Sequence, residues 1–135
     1  MTATTTTRTQ RGSSTQLRAY QALVVLAAVN VLVQFITAGQ LFPNGGPEEA
    51  HAAGAIVLHV LSGLAAVVAV LLWRRGEMSV RVAALAVVVF GYTFVQAALG
   101  GRSSLWIHIP GAMVLTALVV WQLVVALRVR EETRD

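Results

Sequence analysis

Two histidines head closely matching segments, HAAGAIVL from His51 and HIPGAMVL from His108. In each, a glycine and an alanine follow at the third and fourth positions, Gly54 and Ala55 in the first and Gly111 and Ala112 in the second. Positions three and four further along a helix share the histidine's face, so each imidazole stands beside nearly bare backbone. Bare residues next to a ligand histidine leave room for a flat macrocycle. Two opposed neutral imidazoles with such room suit an iron coordinated from both sides, as in a six-coordinate b-type heme. The chain has no cysteine, which excludes covalent heme attachment through CxxCH, thiolate metal sites, iron–sulfur clusters and disulfides.

The same residues carry plainer readings. A histidine in a membrane span also serves as an interhelical hydrogen-bond donor, and small residues are the ordinary means of close helix packing in lipid. Zinc is the weaker metal because no third ligand of suitable type is near. His59 lies eight residues after His51, hence about 12 Å further along a helix and about 80° around it. It is expected in a secondary role, as a hydrogen bond to a cofactor edge or a neighbouring helix, and it is the alternative ligand because Gly63 follows it by four. Gln34 and Gln96 fall near the level of His51 and His108, where cofactor contact and interhelical hydrogen bonding are both open.

The elements that position these side chains follow from hydropathy. Of 135 residues, 56% are hydrophobic and 12% charged, too much apolar surface for one small soluble core to bury. Four stretches, about 19–40, 52–73, 82–100 and 105–127, contain no Asp, Glu, Lys or Arg. Each is close to the roughly 20 residues that a helix needs to cross the hydrocarbon core of a bilayer. Alternation of polar and apolar residues is absent, so a barrel is not expected. The fold class is therefore all-α, an integral membrane four-helix bundle. Residues 1–18, rich in threonine, read as a disordered tail, and 128–135 as a short solvated one. Pro110 reads as a first-turn residue that marks the start of the fourth helix.

All ten basic residues are arginines. Arg8, Arg11, Arg18, Arg74, Arg75, Arg81, Arg128, Arg130 and Arg134 lie on one side of the spans and Arg102 alone on the other. This distribution predicts both termini on the cytoplasmic side, with the two histidine-proximal connections outward. A net charge of +4 is thereby a topology signal, and without aromatic interleaving it gives no nucleic-acid surface.

The helices before the two histidines also match: VQFITAG begins at Val33 and VQAALGG at Val95. A repeat over two helices in the same order implies two like hairpins related by an axis along the membrane normal. The second and fourth helices then face each other, with His51 and His108 at one depth.

The order VQxxxxG, loop, ExxH, basic loop, VQxxxGG and a second helix-heading histidine resembles one four-helix half of heme A synthase. In that family the histidines heading the second and fourth helices serve a heme, and the glutamate three residues before the first is functionally important. The resemblance therefore implies roles for His51, His108 and Glu48. The chain departs from the family at Ala52, which stands where an arginine is usual, in lacking loop cysteines, and in holding one bundle; a homodimer would restore eight helices. A second resemblance, to small four-helix membrane proteins of high-GC Gram-positive bacteria, spans nearly residues 17–128 and supplies no activity.

Together these features predict a plasma-membrane heme b protein in electron transfer or heme handling, with the lipid bilayer, a second copy or a membrane redox partner as its company. The competing class is a non-catalytic accessory subunit with hydrogen-bonding histidines, and a quinone-using oxidoreductase is a third. No nucleophile triad or phosphate loop is present, so an enzymatic activity of the chain alone is not the leading expectation.

Overall fold

The structure is a computed structural model that describes residues 3–42, 45–46 and 48–132, with side chains described for 15–42, 45–46 and 48–129. It contains four helices, α1 (Ala3–Gln40), α2 (Glu48–Arg74), α3 (Val80–Ala98) and α4 (Leu105–Glu132), with a short 3-10 turn at Arg102–Ser104 and no strand among the described residues. All four are long and apolar enough to cross a membrane, over Thr15–Gln40, Glu48–Arg74, Val80–Ala98 and Arg102–Val129. The chain is thus an all-α bundle built as a multi-pass membrane protein.

Each helix packs on its neighbour in sequence and α4 closes on α1, which leaves α1 opposite α3 and α2 opposite α4. Side chains such as Leu32, Ile36, Ile56 and Val120 point outward and are exposed. In a bilayer that surface meets acyl chains as apolar as itself, so packing in the interior, not expulsion from water, must hold the helices together. Alanine supplies much of it: Ala65, Ala66, Ala69, Ala83, Ala86 and Ala126 pack with Tyr20, Val24 and Leu72 at one end. Ala27, Val31, Leu58, Val89, Leu115 and Val119 form the middle layer. Residues this small let helix backbones approach closely.

Polar residues close the layer nearest the termini. Gln21 Nε2 donates to the Ala126 carbonyl at 2.9 Å, and Gln122 Nε2 donates to Tyr20 Oη at 3.5 Å. Tyr20 and Gln122 are buried, and without these partners their polar atoms would be stranded in hydrocarbon.

Several boundaries differ from the sequence expectation. Helix α1 begins at Ala3, so residues 3–18, expected as a disordered tail, are helical. No proline interrupts 3–40, and extending a nucleated helix adds one hydrogen bond per residue. Helix α4 likewise runs on to Glu132, past the expected limit at 127. Pro110 lies inside α4 and not in its first turn, because the helix starts five residues earlier; its ring denies a donor to the Trp106 carbonyl, and Trp106 sits at the exposed rim. Glu48 and Glu49 belong to the first turn of α2, where negative charge complements the helix dipole.

Candidate functional site

The last turns of α1 and α3 and the first turns of α2 and α4 meet at the end of the bundle that carries the α1–α2 and α3–α4 connections. Here the structure brings His51 and His108 together: their ring centroids are 6.4 Å apart and their planes stand at 79°. They come from the diagonal pair α2 and α4, so the two rings meet across the bundle. Both are half-buried.

Each ring is held through Nδ1. His108 Nδ1 lies 3.0 Å from the Gln96 carbonyl oxygen, which can only accept, so this nitrogen carries the proton. His51 Nδ1 lies 3.1 Å from Thr37 Oγ1. The Thr37 hydroxyl is itself within 3.1 Å of the Val33 and Gln34 carbonyls; donating to one of them leaves its oxygen to accept from His51 Nδ1–H. In this arrangement Nε2 of each ring retains its lone pair. A ligand histidine is typically set up this way, with its outer nitrogen donating to a fixed acceptor that sets tautomer and orientation.

Gln34 and Gln96 fill the glycine notches. A Cβ on Gly54 would come within 2.7 Å of Gln34 Nε2, and one on Gly111 would overlap Gln96 Nε2 and lie 3.3 Å from the Tyr92 hydroxyl. Gln34 Nε2 donates to the His51 carbonyl at 3.2 Å. Gln34 Oε1, both amide atoms of Gln96, and Asn30 Oδ1 are buried with no partner. Gln96 is only 6% exposed, so its two orphaned atoms are costly for a protein interior. The imidazole pair is thus ringed by hydrogen-bonding capacity that the chain itself does not satisfy.

The centroid spacing of 6.4 Å is the one that two imidazoles sharing a metal would have. With metal–nitrogen bonds of about 2.0 Å and about 1.2 Å from ring centre to nitrogen, two opposed imidazoles have centroids about 6.4 Å apart. The space beside each glycine that a flat ligand would need is held by the Gln34 and Gln96 side chains. Zinc has less to draw on: no group of three or more His, Cys, Asp or Glu suited to a metal occurs among the described residues.

The remaining sequence candidates lie around this centre or apart from it. Ala55 and Ala112 flank the notches, and their carbonyls are taken up by the next turn: Ala55 O lies 2.7 Å from His59 Nδ1, and Ala112 O accepts from Thr116 Oγ1 at 2.7 Å. His59 and Thr116 thus occupy equivalent places in the two halves. The His59 ring stacks edge-on against Phe94, at 4.4 Å between centroids. Glu48 is exposed and pairs with Arg102 at 2.7 Å, joining the head of α2 to the α3–α4 connection.

Thr37 and Tyr92 belong to this site although no motif marks them. Their signal is positional only: Thr37 is one turn beyond Gln34, and Tyr92 one turn before Gln96 on the same face. Comparison of the chain with known protein families, with curated proteins and with solved structures finds no match.

Proposed function

We propose that the chain is an integral membrane heme-binding protein, with His51 and His108 as the two axial ligands of a b-type heme, acting in electron transfer or heme handling. The observation that supports it most is the pair of diagonal imidazoles 6.4 Å apart, each engaged through Nδ1. Bound heme would supply a one-electron couple at this level of the membrane. Thr37 and the Gln96 carbonyl orient the two rings, Gly54 and Gly111 give the room, and Gln34 and Gln96 offer their unpaired amides to its edge. His59 takes a supporting place one layer deeper, and Glu48 ties the mouth of the site to Arg102. The arginine distribution argues for the plasma membrane of a bacterium with cytoplasmic termini, which sets the heme toward the outer leaflet. The likeness to one half of heme A synthase fits this reading, and a second copy or a membrane redox partner would supply the electron's other stop.

A second reading draws on the same hydrogen bonds: His51 and His108 as polar glue in an accessory subunit, since each already has a partner within the bundle. The two readings part in one experiment. The protein is purified in detergent after expression with ample heme, and its oxidised and reduced absorption spectra are recorded. A Soret band with sharp low-spin α and β bands on reduction is expected; a colourless protein eliminates the heme reading and leaves the accessory one.

A further inference from the structure

Away from the histidines, a groove of 260 Å³ opens on the outer face between α2 and α3, lined by Gly63, Val67, Val70, Val87 and Phe90 and ended by Arg74. Its origin is local. Gly63 lets the Phe90 ring lie against the α2 backbone, where a Cβ would stand 3.0 Å from Phe90 Cε2, and Ala66 continues the bare strip one turn on.

From Gly63 to Arg74 is eleven residues, or about 16 Å of helix. Half of a hydrocarbon core about 30 Å thick is about 15 Å. The groove is therefore one leaflet deep, apolar along its length, and closed at the membrane surface by a guanidinium. Arg75 beside it is engaged, its Nη1 donating to Gln16 Oε1 at 2.5 Å. Arg74 is exposed and has neither an ion pair nor a hydrogen bond among the described residues. Arg18, Arg81 and Arg128 lie at the same end, against Glu77 as the one acidic residue among the side chains described there, so the net charge is positive. A neutral hydrophobic guest would leave that charge unused.

We propose that this groove is a binding site for an anionic phospholipid, with one acyl chain along α2 and α3 and the phosphate on Arg74. The contact is specific because it needs both parts. An arginine pairs with phosphate through a fork of N–H donors, and the chain segment fills a trough that small residues have cut.

The full-length protein is reconstituted in vesicles of equal parts phosphatidylglycerol and phosphatidylcholine, extracted gently, and its retained lipids counted by native mass spectrometry. Phosphatidylglycerol is expected in excess. Arg74→Gln lowers that excess about fivefold, the equivalent of about 1 kcal/mol for one basic residue at the membrane surface, while Arg75→Gln leaves it. Val67→Trp, at a wall position 57% exposed and so harmless to the core, removes the retained lipid by filling the trough. Excess inorganic phosphate does not displace it, because the ion carries no acyl chain. Equal retention of both lipids, an undiminished excess in Arg74→Gln, or displacement by phosphate alone would each overturn the proposal.

Discussion

His51 and His108 meet across the bundle at 6.4 Å between ring centroids, although they sit on helices that make no backbone approach to each other. Long side chains on diagonal helices can meet only where the central axis is open. At the level of the histidines, Gly54 and Gly111 leave that space to the two rings and to the Gln34 and Gln96 side chains.

If these imidazoles hold a heme, His51→Ala and His108→Ala each abolish the low-spin six-coordinate spectrum, since neither ring has a substitute at its level. His59→Ala leaves that spectrum largely intact. Visible absorption and electron paramagnetic resonance of the three variants decide it, and retention of the native signal in either of the first two refutes the assignment.

Thr37→Val removes the acceptor of His51 Nδ1–H while keeping the shape of the side chain. Loss of such an outer-shell partner typically costs about 10- to 100-fold in metal affinity, so heme titration of the variant should show weakening in that range. Thr37→Ser, which keeps the hydroxyl, should restore most of it; equal behaviour of the two would show that the hydroxyl does not matter.

Gly111→Ala separates the needs of the fold from those of the site. The new methyl collides with the amide end of Gln96, and a flexible side-chain end moves at small cost, so thermal stability should fall by less than about 1 kcal/mol. Heme uptake should fall sharply, because the methyl stands in the space beside the ring. A variant with native uptake would show that the notch is packing alone.

At the opposite end, Gln21→Leu removes the side-chain donor that ties α1 to the Ala126 carbonyl of α4. Interhelical hydrogen bonds in membranes average about 0.6 kcal/mol and reach about 1.7, so unfolding in detergent should register a loss of about 1 kcal/mol. The spectrum of the histidine site should not move, since the two layers share no side chain.

Arg102→Ala breaks an ion pair whose partners are both largely exposed. Pairs of this kind contribute about 0–1 kcal/mol and are screened by salt. A melting temperature unchanged in high salt, with at most a small drop in low salt, is the expected result; a large salt-independent drop would give the Glu48 pair a deeper structural part.

The four spans were legible because a bilayer imposes length and apolarity on any chain that crosses it, and the histidine layer because two hairpins repeat their order of residues. The pairing of His51 with His108 follows from that repeat, as do the places of Gln34 and Gln96. Thr37 is not legible in the sequence because its role depends on a side-chain direction at a helix end, and its counterpart in the second half is Leu99, so repetition gives no hint of it. The Tyr20, Gln21 and Gln122 layer was equally hidden: Gln21 finds a backbone oxygen 105 residues away, and no local pattern encodes a carbonyl. The helical start at Ala3 ran against composition, since threonine-rich segments have little to bury, and helical continuity from the span decided it.

The unlike anchors of the two histidines have a consequence for anything that enters between them. One ring leans on a hydroxyl that rotates, the other on a peptide oxygen that cannot. A flat guest between them would therefore meet a yielding wall on one side and a rigid one on the other.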